Sequence, residues 1–333
     1  MSLAEQSYER DRKEAREAYN RGDYALALSG YESCRSYIEN RMVNVSKEGA
    51  WHINYWVAVC RTAVGEYYEA LRSFIKLFEE YEEVKPVISQ WDYPYDYFLY
   101  YNAAKTYSMI NQWLNTQEML ELAIKTDYAS KNKIRYMTAI WFLGDVHREK
   151  GEFEQAWKYY EETKRYYEKE DPLKLFQLNT DIAELYSKQG EKENALTLLK
   201  ENLNKNSALE KPDSYIETRT VDVITELIIE MLSDNSVDNP EELFSYAESL
   251  ILAQLENLDK QEKEKKEKEG EGEEDEEDLT DRVKWLACLS KLSSLVGDKK
   301  VFSRTEKLVE DFKLDDASGA NLDYWKDAAQ IYQ

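Results

Sequence analysis

Large apolar and aromatic residues recur along most of the chain at three- and four-residue spacing, which is the period of an amphipathic helix. Between residues 51 and 81, for example, Trp56, Tyr67, Phe74 and Phe78 follow this spacing. Short turns interrupt the pattern at positions 22, 65, 111, 151 and 190, so that successive turns lie 39 to 46 residues apart. A helical pattern that breaks at such regular distances predicts a series of helix hairpins.

The five turns share one arrangement of small and large residues. Four of them contain glycine, and the weaker third copy has Asn111 in its place. A small residue lies seven positions before each turn: Ala15, Ala58, Ala104, Gly144 and Ala183. A large residue lies nine positions after each turn: Tyr31, Phe74, Leu120, Tyr160 and Leu199. The small residues indicate points at which neighbouring helices approach closely.

At these offsets the sequence resembles the tetratricopeptide repeat, and the stretch from Gly144 to Tyr160 is the best match. The resemblance covers residues 5–205 well and the remainder loosely. It implies an all-α fold, an α-solenoid of stacked antiparallel helix hairpins that forms a tetratricopeptide-like superhelix. The repeats exceed the family's usual length of about 34 residues, which indicates extended helices or connections.

The same pattern divides the chain into three parts. Residues 1–258 are predicted to form the helical repeat array, and residues 282–333 helices that continue or cap it. Residues 259–281 form an acidic low-complexity segment, which we expect to be disordered. We interpret this acidic segment as a solvated spacer, and a docking site for a basic segment of a partner is the alternative. Within the array the longest interruption, residues 83–97, ends in an unusually aromatic stretch.

Charge and cysteine content narrow the environment and the partners. The formal net charge of −23 disfavours contact with nucleic acid. It favours a protein or peptide partner that is itself basic. The three cysteines have no pair at metal or redox spacing, as is usual in a reducing compartment. The charged N-terminus does not resemble a secretory signal, and no apolar stretch is long enough to span a membrane. We therefore expect a cytoplasmic protein.

Residues for catalysis are scarce. The two histidines, His52 and His147, fall in different repeats, and no cluster with metal-ligand spacing occurs. The glycines at 270 and 272 are flanked by glutamates, which is the wrong charge for a phosphate-binding loop. The sequence therefore predicts no enzymatic activity, no cofactor and no metal.

The resemblance also implies a ligand-binding groove lined by the first helix of each hairpin. Carried over position by position, it assigns eleven residues to the groove: Arg12, Arg16, Tyr19, His52, Tyr55, Phe98, Tyr101, Lys105, Trp141, Asp145 and Arg148. Aromatic rings beside cations suit a peptide-binding surface, although the same residues can equally pack against adjacent repeats. Members of the family that bind acidic chaperone tails have asparagine where this chain has Trp56, so that role is disfavoured.

These observations favour a non-enzymatic adaptor or scaffold that binds a peptide or partner domain in the groove. One alternative is a sensory or regulatory module of a larger effector or signalling protein, in which ligand binding controls an associated enzyme. Another is a self-assembling structural scaffold, because the sequence does not determine the oligomeric state.

Overall fold

The computed structural model describes residues 2–234, 237–269 and 276–296. These residues form fourteen α-helices, and no strand occurs among them. The prediction of an all-α fold is confirmed. The chain divides into two compact units, Met1–Lys169 and Glu170–Gln333, called unit 1 and unit 2 below.

Unit 1 contains nine helices, the last of which ends at the boundary with unit 2. They are α1 (Leu3–Asn20), α2 (Tyr24–Glu39), α3 (Lys47–Ala63), α4 (Tyr67–Ile88), α5 (Tyr95–Ser108), α6 (Trp113–Ile124), α7 (Asp127–Lys131), α8 (Lys133–Glu149) and α9 (Phe153–Glu170). Unit 2 contains five described helices. They are α10 (Pro172–Lys188), α11 (Lys192–Ser207), α12 (Ser214–Ser233), α13 (Pro240–Glu269) and α14 (Glu276–Val296). Within each unit, helices consecutive in sequence pack on one another as in stacked hairpins, for example α1 on α2, α3 on α4 and α10 on α11.

All five predicted turns have the same backbone geometry. The glycines at 22, 65, 151 and 190 have φ between 75° and 88°, and Asn111 has φ 57°. In each turn the N–H of the next residue donates to the carbonyl five residues before it, as from Asp23 to Ala18 at 3.0 Å and from Glu152 to His147 at 2.8 Å. This bond closes the end of a helix in the Schellman arrangement, which requires a left-handed residue. Glycine and asparagine are the residues that adopt it at least cost.

The predicted helix crossings are also present. Ala15, Ala58, Ala104 and Ala183 are buried, and so is the alanine five positions after the glycine of each glycine turn. At Gly144 an added Cβ would lie 2.5 Å from Cε1 of Tyr160, a separation that real Cβ atoms essentially never show. The small residue at this position is therefore what lets α8 and α9 approach.

The apolar core follows from this stacking. Unit 1 has a buried cluster around Trp51, Tyr55 and Phe74, with further clusters along the unit. Unit 2 has one large cluster that joins α10 to α14 through residues such as Ile224, Phe244 and Leu289.

The acidic segment 259–281, which we expected to be disordered, is helical up to Glu269 and again from Glu276. Residues 270–275 lie outside the described residues, and so do residues 297–333, which form most of the predicted C-terminal part. The three-part organisation of the chain stays a prediction. Among the described helices, none has the length and apolar character needed to cross a bilayer.

Candidate partner-binding surface

All eleven residues predicted to line the groove lie on four helices of unit 1, namely α1, α3, α5 and α8. The structure brings several of them together around residues 89–94, the segment that joins α4 to α5, here called the insert. Tyr93 of the insert lies between two of these helices. Its ring centroid is 5.0 Å from that of Phe98 on α5 and 5.6 Å from that of Trp56 on α3.

The rings and polar side chains around Tyr93 form what we call the aromatic surface. Its rings are Tyr19, Trp56, Tyr93 and Phe98. Its polar groups are Asn102, Lys105 and Arg135, with Arg16 at its edge near His52 and Tyr95. The rings fix one another in place: Tyr19 meets Trp56 edge to face at 4.9 Å. Burial raises the pKa of Tyr93 to about 12, so its hydroxyl is neutral at physiological pH.

The insert covers part of α3. Tyr55 is 0% exposed, and its hydroxyl lies 3.0 Å from that of Tyr93. His52 shares a hydrogen bond with the hydroxyl of Tyr95, and its ring lies 5.8 Å from that of Trp91. Tyr55 therefore lies beneath the surface, where it supports Tyr93.

His52 is held in its neutral form. Burial lowers its pKa to about 4, and the nearby charges of Arg12 and Arg16 act in the same direction. Arg12 is paired with Glu9 at 2.7 Å, whereas Arg16 forms no ion pair with any described residue. The α1 edge of the surface therefore carries one guanidinium that is open to an external anion.

Asn102 and Lys105 on α5 line a cleft of about 220 Å³ together with Tyr19, Val59 and Met109. The amide of Asn102 is oriented by donating a hydrogen bond of 2.8 Å to the hydroxyl of Tyr55. Lys105 is exposed and has no ion-pair partner in the described part of the chain. The cleft is the size of one or two side chains, and it has a fixed amide and a free ammonium group beside apolar walls.

Arg135 is a residue that the sequence analysis missed. Its guanidinium carbon lies 5.2 Å from the centroid of Phe98, within cation–π range. No carboxylate among the described residues pairs with it. The repeat frame does not select Arg135, because the residue lies in the first turn of α8. Its place beside Phe98 arises from the packing of α5 against α8.

The other predicted residues of α5 and α8 are engaged within the fold. Tyr101 stacks on Tyr97 at 5.6 Å, and burial raises the pKa of Tyr101 to about 12. Asp145 accepts a hydrogen bond of 2.6 Å from the hydroxyl of Tyr160. Arg148 is 8% exposed and pairs with Glu149 at 3.1 Å.

Trp141, the remaining predicted residue of α8, is half-buried, with its ring 6.0 Å from that of Tyr167. The α8 part of the predicted groove thus consists mainly of side chains whose polar groups already have partners within unit 1.

The two cysteines of unit 1 are poorly suited to nucleophilic chemistry. Cys34 and Cys60 are buried, and burial raises the pKa of each thiol to about 12. His147 shares a hydrogen bond with Glu152 in the turn after α8. No group of three or more potential metal ligands occurs within the described residues.

No protein-family model matches the sequence, and no curated protein matches it. Solved structures do match its fold. The structure of NprR in complex with its cognate peptide NprX aligns with a TM-score of 0.58 at 14% identity, covering 99% of this chain and 89% of that chain. A tetratricopeptide repeat protein from Parabacteroides merdae ATCC 43184 aligns with a TM-score of 0.54 at 12% identity, covering 98% and 99%.

A putative kinesin light chain of Podosopora anserina with nearly identical TPR-like repeats aligns with a TM-score of 0.50 at 16% identity, covering 63% of this chain and all of that one. At these identities the likeness concerns the fold. Together with the turns and helix crossings described above, it shows that this chain has the fold of the tetratricopeptide-like superfamily, an α-solenoid of antiparallel helix hairpins.

Proposed function

We propose that this protein is a non-enzymatic interaction module that binds a peptide segment of a partner on the aromatic surface of unit 1. The observation that carries the proposal is the presence of three cations, Arg16, Lys105 and Arg135, that flank the rings without forming ion pairs among the described residues. In a chain of net charge −23, most basic residues have acidic neighbours available. Cations left open beside rings suit an external ligand.

The geometry favours a ligand that carries carboxylates. A guanidinium binds a carboxylate through two parallel hydrogen bonds, and such charge-assisted bonds are stronger than neutral ones. The net charge led us to expect a basic partner, and that expectation remains for surfaces elsewhere on the molecule. At the aromatic surface the local charge is positive, so an acidic peptide fits better there.

The rigidity of the surface adds to this argument. Tyr93 is held by its hydrogen bond to Tyr55 and by stacking on Phe98, and Asn102 is held by the same Tyr55 hydroxyl. A surface that is already ordered loses little side-chain entropy when a ligand binds. Asn102 offers one further amide hydrogen and a carbonyl oxygen, which can pair with the backbone of an extended peptide.

The fold has a precedent for a peptide ligand, because the matching NprR structure is a complex with its cognate peptide NprX. We place the module in the cytoplasm, where its three free thiols, Cys34, Cys60 and Cys288, would remain reduced. The negative charge of the chain argues against nucleic acid as the partner.

A randomised library of short peptides, panned against the immobilised full chain, tests the proposal. We expect the enriched peptides to be rich in Asp and Glu. Combining Arg16→Glu with Arg135→Glu should weaken their binding at least about tenfold in fluorescence anisotropy, because two charge-assisted contacts become repulsive. The matched control combines Arg72→Glu on α4 with Arg165→Glu on α9, which makes the same total charge change at two exposed sites. Failure to enrich any peptide, or equal binding by the double variant, would contradict the proposal.

A further inference from the structure

A second and larger cleft of about 730 Å³ lies in unit 1, between the C-terminal end of α4, the insert, the start of α5, and α7. Its volume falls within the range of about 300–1,000 Å³ that is usual for binding sites. Of the aromatic surface, it shares Tyr93 alone. Six aromatic side chains line this cleft: Tyr81, Trp91, Tyr93, Tyr95, Tyr100 and Tyr128.

The rings of this cleft are held by one another. Tyr100 stacks on Phe78 at 5.7 Å and meets Tyr81 at 6.2 Å. Trp91 meets Tyr95 edge to face at 5.9 Å and is 37% exposed. The walls are therefore apolar ring surfaces that need little rearrangement before a ligand packs on them.

The rim carries three lysines and three aspartates, so that it has no net charge. Most of these groups are engaged: Lys131 pairs with Asp127 at 3.6 Å, and Asp96 accepts a hydrogen bond from the backbone N–H of Tyr97. Asp92 is exposed and has no partner among the described residues. One open carboxylate thus lies directly beside the exposed indole of Trp91.

The hydrogen-bonding groups that remain open in the cleft are mainly donors. The indole N–H of Trp91 and the ammonium group of Lys125 have no hydrogen-bond partner within the described part of the chain. A ligand that fits must therefore present apolar rings or alkyl groups to the walls and acceptors to these donors. It must also place one positive charge near Asp92.

We propose that this cleft binds a proline-rich segment in the polyproline II conformation that carries a basic residue at its flank. A polyproline II helix has pyrrolidine rings that pack on aromatic side chains, and its backbone carbonyls are free to accept hydrogen bonds. Its conformation is largely formed before binding, which limits the entropy lost on a rigid surface. The basic residue pairs with Asp92, in keeping with the negative charge of the chain as a whole.

The test uses two peptide libraries of equal length and the full chain. In one library each peptide contains four fixed prolines and one fixed arginine at otherwise random positions, and in the other library four glycines replace the prolines, so that binding at the aromatic surface contributes equally to both. Panning should enrich peptides from the proline library. In anisotropy measurements Trp91→Ala should weaken their binding about tenfold, as expected for an exposed aromatic anchor. Tyr68→Ala, which removes a ring that is 66% exposed outside the cleft, should leave binding unchanged.

A charge exchange makes the test independent of any damage from removing the indole. Asp92→Lys should weaken the arginine peptides about threefold, and it should strengthen matched peptides in which glutamate replaces arginine. Lys105→Glu, on the aromatic surface, should leave the proline peptides unaffected, so that failure here is distinguishable from failure of the proposed function.

Three results would overturn the proposal. The first is equal enrichment from the two libraries. The second is binding of proline peptides that neither Trp91→Ala nor Asp92→Lys alters. The third is that the wild-type chain binds sugars on a glycan array, Trp91→Ala abolishes this binding and no proline peptide binds, which would assign the cleft to carbohydrate.

Discussion

The close crossing of α8 and α9 makes Gly144→Ala a sensitive probe of the fold. The new Cβ would lie 2.5 Å from Cε1 and 2.6 Å from Cδ1 of Tyr160. Tyr160 is fully buried, and its hydroxyl donates a 2.6 Å hydrogen bond to Asp145. The ring therefore cannot move aside without disturbing the core or losing this bond.

The expected magnitude combines opposing effects. Overpacking of a core by one methyl group costs about 1–3 kcal/mol, and loss of the hydrogen bond costs about 1 kcal/mol. The change from glycine to alanine within a helix returns at most about 1 kcal/mol. We therefore expect Gly144→Ala to lower the free energy of unfolding by about 2 kcal/mol.

Urea unfolding followed by tryptophan fluorescence measures this change. Six of the eight tryptophans lie before residue 170, so the signal reports mainly on unit 1. As a control, Gly144→Ala is also introduced into the Tyr160→Leu variant. The ring is absent there, so the added methyl group should be neutral or slightly stabilising. If Gly144→Ala is as stable as the wild type while Tyr160 is intact, the account of this crossing is wrong.

Three further changes test other parts of the structure by urea unfolding. Gly151→Val should lower the free energy of unfolding by about 2 kcal/mol, because the residue has a left-handed backbone conformation. Gly151→Asn should cost less than half of that, since Asn111 adopts this conformation in the third turn, and equal losses would contradict this reasoning. The lowered pKa of His52 makes the unfolded state bind more protons, so this group should lower the free energy of unfolding by up to about 3 kcal/mol as the pH falls from 6.5 to 4, and His52→Phe should remove that contribution from the slope. Arg219→Met should destabilise by about 3 kcal/mol because it removes the ion pair with the carboxylate of Asp181, whose side chain is 4% exposed, and adding Asp181→Asn should recover part of the loss.

The turns and helix crossings could be predicted from sequence because each depends on local chemistry. A left-handed residue at a helix end is most readily glycine or asparagine, although Arg41 after α2 also has φ 56°, and a close crossing needs a small side chain. Because of these requirements, turn residues and small residues recur at fixed offsets from one another along the sequence. For this reason Asn111 could be identified as a fifth turn in the absence of glycine. Its φ of 57° confirms that prediction.

The arrangement of the candidate site was less accessible to sequence reasoning. The aromatic character of the insert was evident, but its packing over Tyr55 depends on how α3, α4 and α5 meet in three dimensions. Arg135 was missed for the same reason. The engagement of Arg148, in contrast, follows in part from Asp145, an acidic residue three positions away on the same helix, which the sequence displays.

Site-specific photo-crosslinking tests the central claim most directly. A benzophenone amino acid is placed at Lys105, beside the cleft of the aromatic surface, or at Arg72, an exposed control position on α4. A peptide enriched on the wild-type chain is then added, and the crosslinked products are identified by mass spectrometry. Our account predicts capture at position 105, competed by excess unlabelled peptide, and little capture at position 72. Equal capture at the two positions, or capture at 72 alone, would contradict it.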